Sequence, residues 1–544
     1  MAAVAHGGSE QGRHDHAAAH REYLEDVARN RWIILLGLIT AAIMQVLDAT
    51  IINVALPQMA GNLGASYQEI GWVSTGYILS CVVVLPMTAF LAGRFGRKNY
   101  LTFSIFLFIL SSFMCGMSHS LLELVFWRIV QGAGGAALMS TAQATLRQIF
   151  PLEEQGIVQA IFILGIIVAP TVGPALGGWI TDNYTWNWCF FINVPIGLGS
   201  MLLVTSFLHD PPGMRNPKAK IDWTGAGLLA VGLGSLQYVL EEGQQNDWFN
   251  DATILRLSIL SVVSLSTMVW WELTPLNKSP IVDFNILKNR TLSFSIMLLA
   301  AVGFALFGGV YLFPMFTQTI LGFTPTQTGL VLVPGGIASG CMALLCGKLL
   351  NGKKPLVDPR ILMFIGILVL MESMWQLGHM TIASGEPDTR SALLIRGIAL
   401  GFLSTPSNQV AYGCVEPKDA QQASGLINLS RQLGGSFGIA ILGTYVTNQA
   451  AFHRATLVSH LTYGNLEATR WMHMVQGGLV AKGYLPGVAH QAAVGALDRT
   501  VTLQSLVMSY DDAFLLILLL FLAIIPAVFF LKMARRAGPT PVEE

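Results

Sequence analysis

Two charged residues inside apolar segments are the side chains best placed to do chemistry in this sequence. Asp48 lies in the run Leu47-Asp48-Ala49-Thr50-Ile51, and Arg128 lies in a second apolar segment. A charge at the centre of a bilayer costs on the order of 3 kcal/mol or more unless it is paired or hydrated. Counting about 1.5 Å per residue from the predicted helix ends places both side chains at similar depth. The carboxylate could carry a proton, or the two residues could form a static ion pair that holds helices together.

Three further charges lie inside apolar segments. Glu372 is predicted to lie close to the midplane by the helix rise. It could attract a cationic substrate, carry a second proton, or pair with Arg396 or Arg431. The sequence does not choose between these roles.

The composition predicts a membrane protein around these charges. Of 544 residues, 53% are hydrophobic and 11% are charged, whereas soluble proteins are about 25% charged. A spanning helix needs about 20 apolar residues, and the sequence contains fourteen such stretches, which excludes a soluble enzyme. Lys and Arg balance Asp and Glu at 31 each, so no overall field attracts nucleic acid. The predicted spans are 32–56, 70–92, 100–118, 121–146, 157–180, 189–208, 224–240, 254–273, 291–321, 327–350, 360–378, 391–412, 421–447 and 511–533.

The distribution of basic residues predicts the orientation. The two tails and the connections on their side of the membrane carry 22 Lys and Arg, whereas the opposite side carries six. Cytoplasmic loops are the basic ones. We therefore expect a multi-pass protein of the bacterial inner membrane with both termini in the cytoplasm.

An internal repeat predicts two related halves. Gln131-Gly132 in the fourth span aligns with Arg396-Gly397 in the twelfth, and glycines recur at equal spacing in the spans that follow. Paired halves are typical of alternating-access transporters, and close helix packing is a second reason for the glycines. The predicted fold is all-α, with two six-helix bundles and two inserted helices. Its parts are a disordered tail (1–31), a first bundle (32–208), a linker with the inserted helices (209–290), a second bundle (291–533) and a short tail (534–544).

The connection over 448–510 is the only large segment predicted to lie outside the membrane. Apolar residues recur in it at helical spacing on both sides of Pro486-Gly487, which predicts a helical hairpin on the outer side. The hairpin is either a merely exposed loop or a docking surface for a partner. The apolar positions are Ala468, Met472, Val475, Leu479, Val494, Leu497 and Val501.

Aromatic and amide side chains in several spans suit a broad, adaptable cavity for small molecules. Packing or lipid-facing positions are the alternative for each of them. The sequence has no G-x-x-x-x-G-K-[ST] phosphate loop, nucleophile elbow or H-E-x-x-H helix, so we expect no catalytic residue, no cofactor and no metal site. The candidate cavity residues are Gln45, Asn53, Trp72, Tyr77, Phe304, Phe307, Tyr311 and Gln318.

Several motifs in order resemble the fourteen-spanner drug:proton antiporters of the major facilitator superfamily, the EmrB/QacA type. The resemblance covers about 30–535 and includes L-D-A-T-I-I-N-V-A-L-P at 47–57, R-I-V-Q-G at 128–132 and G-P-A-L-G-G at 173–178. The segments D-N-Y-T-W-N-W at 182–188, F-I-N-V-P-I-G at 191–197 and I-V-D at 281–283 are also similar to the EmrB type.

The resemblance implies a proton-driven exporter whose two bundles rock against each other. It implies that Asp48 carries the proton, that Arg128 tunes it, and that Gly173, Pro174, Gly177 and Gly178 shape the interface between the bundles. It also implies a periplasmic membrane-fusion adaptor and an outer-membrane channel as partners.

One motif departs from the family pattern. The loop that in the family reads G-x-L-A-D-R-x-G-R-K contains Arg94, Arg97 and Lys98, but Gly93 replaces its acidic residue. A charge pair that would gate transport at this loop is therefore weakened.

These observations together predict an exporter of drugs or small lipophilic compounds, driven by protons. A dedicated exporter of one endogenous metabolite, such as a siderophore or antibiotic, is the alternative within transport. A scaffold or sensor that kept the fold without transport is the alternative from another class.

Overall fold

A computed structural model gives the fold of residues 7–151, 153–210, 222–275, 277, 280–351, 356–416, 419–461 and 465–531. These residues form α-helices, short 3-10 turns and connections, with no β-strand in the described ranges. Side chains are described from Arg29 onward, except at scattered positions such as Asn53 and Pro174. The helices are α1 (Gly7–Leu63), α2 (Tyr67–Ile70), α3 (Trp72–Val84), α4 (Thr88–Phe95), α5 (Arg97–Met117), α6 (Leu121–Ile149), α7 (Gln155–Asn183), α8 (Trp188–Phe191), α9 (Asn193–Phe207), α10 (Trp223–Glu242), α11 (Ala252–Leu273), α12 (Arg290–Thr319), α13 (Pro325–Leu350), α14 (Pro359–Leu377), α15 (Glu386–Gly413), α16 (Ala420–Ser459), α17 (Leu466–Ala481) and α18 (Pro486–Phe530).

Eleven helical segments in the described ranges are long and apolar enough to cross a membrane. A spanning helix satisfies its own backbone hydrogen bonds, which is why such segments are helical in lipid. Three other long helices, α7, α15 and α16, pack among these segments. α15 and α16 have lower mean hydropathy because they bury polar residues such as Thr405, Asn408 and Arg431 inside the protein. The arrangement is compatible with the fourteen spans predicted from the sequence.

Each half of the chain has its own apolar core. The first core is built around Phe108, Leu138 and Phe162 from α5, α6 and α7. The second is built around Phe313 and Phe514 from α12 and α18. We call the helices α1 to α9 the first bundle and the helices α12 to α16 with α18 the second bundle.

The inserted helices α10 and α11 pack against each other and lie beside both bundles. The Tyr238 ring of α10 lies 5.5 Å from the Trp72 ring of the first bundle. Gln237, also in α10, donates a hydrogen bond of 2.9 Å to Ser436 of the second bundle. The pair therefore covers the line along which α3 and α16 face each other.

The N-terminal tail is the part of the fold that the sequence predicted wrongly. Residues 1–31 were expected to be disordered, but α1 begins at Gly7 and continues to Leu63. Residues 17–28 are rich in Ala and Glu, which have high helix propensity, so the spanning helix extends into a polar segment. The predicted C-terminal tail at 534–544 lies outside the described residues.

The helical hairpin predicted at 448–510 is confirmed. α16 extends to Ser459, α17 covers Leu466–Ala481, and α18 begins at Pro486 and continues into the membrane span. Ala468, Met472, Val475 and Leu479 are half-buried, as their spacing predicted. In α18 the buried positions are instead Ala489 and Ala493, and Val494 is exposed, because the small alanines let the two helices approach.

Glycine 132 allows the closest approach of α3 and α6. A Cβ atom at this position would lie 2.3 Å from the backbone oxygen of Tyr77, whereas a Cβ atom at Gly93 would meet nothing within 4 Å. Overpacking a helix contact costs about 1–3 kcal/mol. We expect Gly132→Ala to lower the thermal unfolding midpoint of the purified protein by several degrees.

Gly93→Ala is the matched control for that substitution and should change the free energy of unfolding by less than about 0.5 kcal/mol. Both midpoints can be measured in detergent from the monodisperse fraction that survives heating. Equal midpoints for the two variants would contradict the described contact between α3 and α6.

Candidate functional site

The Asp48 carboxylate is completely buried in the first bundle and accepts hydrogen bonds from three side chains. Arg128 donates from Nη1 to Oδ2 over 2.6 Å. Gln131 and Asn193 both donate to Oδ1, over 3.0 Å and 2.7 Å respectively. Both carboxylate oxygens are therefore bonded, which is the condition under which a buried charge is tolerated.

Arg128 is held as fully as its partner. Its Nε donates to the backbone oxygen of Val73 over 2.9 Å, and its Nη1 also donates to Gln131 over 2.7 Å. The guanidinium lies 4.3 Å from the centre of the Tyr77 ring, a cation–π distance. The ion pair thus joins four elements of the first bundle: α1, α3, α6 and α9.

The sequence predicted part of this site. Equal depth of Asp48 and Arg128 was expected from the helix rise, and the ion pair confirms it. The roles of Gln131 and Asn193 as ligands of Asp48 were not predicted. Gln131 follows Arg128 by three positions, so helical spacing could have found it. Asn193 comes from a different span, and only three-dimensional packing brings it to the carboxylate.

The other intramembrane charges are separate from each other. Glu372 is exposed on the outside of the bundle and accepts a hydrogen bond from Gln376, so it pairs with neither arginine. Arg396 is buried and donates to the backbone oxygens of Ala305 and Leu306. Arg431 donates to Oδ1 of Asn408 over 3.0 Å. The pairing considered for Glu372 fails because α14 turns this residue away from the centre of the bundle.

Most of the candidate cavity residues take part in helix packing. Phe304 and Tyr311 pack against the core of the second bundle, and the Phe307 ring lies against Gly435. Tyr77 lies beside Arg128 and Trp72 beside Tyr238. For these residues the packing role that the sequence left open is the one the structure shows.

Two of the remaining candidate cavity residues are described at side-chain level. Gln45 is half-buried one turn from Asp48, and its Nε2 lies 3.8 Å from Sγ of Cys81. Gln318 is exposed at the end of α12. The side chain of Asn53 lies outside the described residues.

The glycine motif of α7 packs inside the first bundle. A Cβ atom at Gly173 would lie 2.2 Å from Oγ1 of Thr50, and one at Gly177 would lie 2.6 Å from the backbone oxygen of Ile51. A Cβ atom at Gly178 would lie 3.8 Å from Val54. These glycines therefore contact α1, and the expected role at the interface between the bundles is not seen for them. The side chain of Pro174 lies outside the described residues.

The basic loop between α4 and α5 is also held within the first bundle. Arg97 is buried and donates to Gln148, and the backbone nitrogen of Lys98 donates to Asp210 over 2.9 Å. Arg94 lies at the end of α4, with its guanidinium 5.9 Å from the Phe95 ring centre. Asp210, which follows α9, supplies an acidic partner at this loop, where Gly93 lacks one.

Polar side chains join the two bundles at one end of the molecule. We call this end the inner side, because the basic connections place it in the cytoplasm by prediction. Five hydrogen bonds between described residues cross the interface, and we call this set the inner seal. It comprises Tyr412 to Gln143 (2.6 Å), Asn428 to Gln143 (2.9 Å), Gln421 to Thr141 (3.1 Å), Ser424 to the backbone oxygen of Ser140 (2.6 Å) and Arg147 to the backbone oxygen of Tyr412 (2.9 Å).

Glycines bring a second pair of helices together on the same side. A Cβ atom at Gly156 of α7 would lie 2.6 Å from the backbone oxygen of Gly347 of α13. Ile163 and Ala343 continue this contact toward the middle of the membrane. The path between the bundles is therefore closed at the inner side.

One helix connects the ion pair with the inner seal. α6 carries Arg128, and about four turns further it carries Gln143 and Arg147. A displacement of α6 would therefore change both places. This connection was not predicted from the sequence, because the seal residues are ordinary polar side chains with no motif of their own.

Two helical bundles joined at one side, with a buried ion pair inside one of them, define a secondary transporter of the alternating-access class. Residues 38–439 match the family described as Major Facilitator Superfamily. The chain belongs to the major facilitator superfamily. It is a multi-pass membrane transporter rather than an enzyme, as the sequence predicted.

The relatives are exporters. The chain is 33% identical over 508 residues to the multidrug export protein EmrB of Escherichia coli (strain K12), covering 93% of this chain and 96% of that protein. It is 32% identical over 516 residues to the fatty acid resistance protein FarB of Neisseria gonorrhoeae, covering 93% and 97%. The fold also resembles the human organic anion transporter MFSD10, with a TM-score of 0.56, 13% identity and coverage of 90% and 99%.

The ion pair makes a testable contribution to stability. Removing one partner of a buried pair costs about 3–5 kcal/mol, because the other charge is left uncompensated. We expect Arg128→Met to reduce the yield of folded protein and its unfolding midpoint strongly. The double variant Asp48→Asn with Arg128→Met should recover much of that loss, since no buried charge remains.

Arg256→Met removes an exposed arginine of the inserted pair and serves as the control. All variants can be compared by fluorescence-detected size exclusion after heating. An Arg128→Met protein as stable as the Arg256→Met protein would show that the pair does not stabilise the first bundle.

Proposed function

We propose that the protein is a proton-driven antiporter that exports drugs or other small lipophilic compounds across the bacterial inner membrane by alternating access. The observation that carries this proposal is the Asp48 carboxylate, buried in the first bundle and bonded by residues of α6 and α9. A carboxylate in this position can exchange a proton with one side of the membrane at a time. Arg128 is the group that stabilises its charged form.

Protonation would act on the bundles through α6. When Asp48 is neutral, Arg128 loses the charge that it faces, and its position in α6 is no longer fixed by an ion pair. Because α6 also carries Gln143 and Arg147, we propose that its movement loosens the inner seal. The first bundle (32–208) and the second bundle (291–533) would then rock to open the inner side.

The closed inner side supports an outward-facing assignment for this conformation. With both termini in the cytoplasm, the open end of the pathway would face the periplasm. A proton would enter Asp48 from that side, and substrate would bind after the inner side opens. The names of the relatives, a multidrug exporter and a fatty acid resistance protein, support amphiphilic or lipophilic small molecules as the substrates.

Proton flux in liposomes tests the proposal. We expect the wild-type protein, with acid imposed on the periplasmic side, to move protons when lipophilic cations or weak acids are added. Asp48→Asn should fold and bind substrate, because the amide oxygen still accepts from Arg128, but it should show no uphill export. Glu372→Gln is the matched control and should keep substrate-dependent flux, because Glu372 lies on the outside of the bundle.

Substrate-dependent proton flux in the Asp48→Asn protein would refute Asp48 as the coupling site. Loss of flux in Glu372→Gln alone would move coupling to that residue.

We propose that the hairpin formed by α17 and the first part of α18 docks a periplasmic adaptor, which would pass substrate to an outer-membrane channel. α17 has no buried residue, and its surroundings expose large apolar side chains. Met474 is 72% exposed and Leu485 is 73% exposed, well beyond the membrane-spanning part of α18. Exposed apolar groups on such a hairpin are typical of protein contacts.

Aspartates at Met474 and Leu485 test this contact. The double variant should keep substrate-dependent flux in liposomes and lose several-fold of its drug resistance in cells, because only the cell contains the adaptor. Phe249→Asp, on the connection between the inserted helices, is the control and should leave both readouts unchanged. Full resistance in the double variant at normal protein levels would exclude the hairpin as the docking surface.

A further inference from the structure

Arg431 differs from the other buried arginines in what surrounds its charge. Arg128 has the Asp48 carboxylate, and Arg396 donates to two backbone oxygens. Arg431 donates to the neutral amide of Asn408, and no carboxylate of the described residues lies within 4.0 Å of it. A guanidinium has five N–H groups, so most of its hydrogen-bonding capacity is unused by the protein.

The unused part of the Arg431 guanidinium is not sealed inside the protein. The residue is 9% exposed, and none of its nitrogens is among the buried atoms that lack a partner. Its backbone is fixed, because the Arg431 oxygen lies 2.2 Å from where a Cβ atom of Gly303 would be. The charged group is therefore held in place beside open space.

The position of Arg431 relative to the inner seal identifies that space. On α16, Arg431 follows Ser424 by seven residues and Asn428 by three, so it continues the stripe that faces the first bundle. On α15, Asn408 precedes Tyr412 by one turn. Because α15 and α16 run in opposite directions, both shifts point away from the inner side. Arg431 and Asn408 therefore form the next layer above the seal.

We propose that Arg431 and Asn408 form a binding site for the anionic head of an amphiphilic substrate, a carboxylate or a phenolate, at the floor of the pathway between the bundles. This inference rests on the proposed export function and names its substrate class. A carboxylate accepts two N–H groups of a guanidinium side by side, which is the geometry that Arg431 has available. Asn408 orients the guanidinium through its Oδ1. Cations of the same shape meet a repulsive charge at this position.

The test uses three compounds with one ten-carbon tail: decanoate, decanol and decyltrimethylammonium. Specific binding of radiolabelled decanoate to the protein in nanodiscs is measured as the signal displaced by excess unlabelled compound, and each compound is then used as competitor. We expect decanoate to compete at least about tenfold better than decanol, the factor that a charge-assisted hydrogen bond provides. Decyltrimethylammonium should compete least well.

Variants at Arg431 separate a binding role from a structural one. Arg431→Gln should remove the preference for decanoate over decanol, and Arg431→Lys should restore part of it. Arg431→Glu should invert the order, so that decyltrimethylammonium competes best. Arg396→Gln removes a buried arginine that is enclosed by backbone oxygens, and the folded fraction of this control should keep the wild-type order of competitors.

Equal competition by decanoate and decanol in the wild-type protein would overturn the inference, as would an unchanged order in Arg431→Gln. Failure of the inference is distinguishable from failure of the proposed function. If proton-driven export of lipophilic dyes persists while the order is unchanged, only the anion site is wrong. If no compound moves protons in liposomes, the export function is wrong as well.

Discussion

The burial of a charge pair inside the first bundle is the constraint on which the rest of the structure depends. Asp48 and Arg128 are tolerated in the membrane because Gln131, Asn193 and the Val73 backbone complete their hydrogen bonds. That requirement fixes the relative positions of α1, α3, α6 and α9. Close packing supports the same arrangement, since a Cβ atom at Gly135 would meet the Tyr77 hydroxyl at 2.9 Å.

The contact between the bundles has a different chemical character from the ion pair. Four of the side chains in the inner seal, Tyr412, Gln143, Asn428 and Gln421, are neutral. A single hydrogen bond of this kind contributes about 0.5–1.5 kcal/mol, because water replaces it when it breaks. A seal built from such bonds can close the pathway and still open during transport. The charged loop at Arg94 to Lys98 is tied to its own bundle, so neutral groups join the bundles at the seal.

The sequence predicted what depends on local pattern. Apolar runs gave the helical segments, the helix rise gave the equal depth of Asp48 and Arg128, and the spacing from Ala468 to Leu479 gave the hairpin. It failed where long-range packing decides. Asn193 reaches Asp48 from another span, Glu372 turns outward, and Phe304 and Tyr311 pack into the second core. The stripe on α16 that holds Asn428 and Arg431 has meaning only once the first bundle is placed opposite it.

The resemblance to known antiporters predicted residue types better than their contacts. It assigned Gly173 and Gly177 to the interface between the bundles, whereas both lie against α1. The inner contact of α7 is made instead by Gly156, one turn into the helix. A glycine marks close approach in either case, and only the fold determines which helix approaches.

The central claim is that protonation of Asp48 opens the inner seal through α6. The distance between spin labels at Asn99 and Leu356, which are exposed on the inner side of the two bundles, measures that opening directly. The labels are introduced as cysteines in a protein whose accessible Cys341 and Cys414 are replaced by serine. We expect the distance to lengthen at acid pH in the otherwise wild-type protein and to be long at every pH in Asp48→Asn. The same pH response in both proteins would contradict the claim.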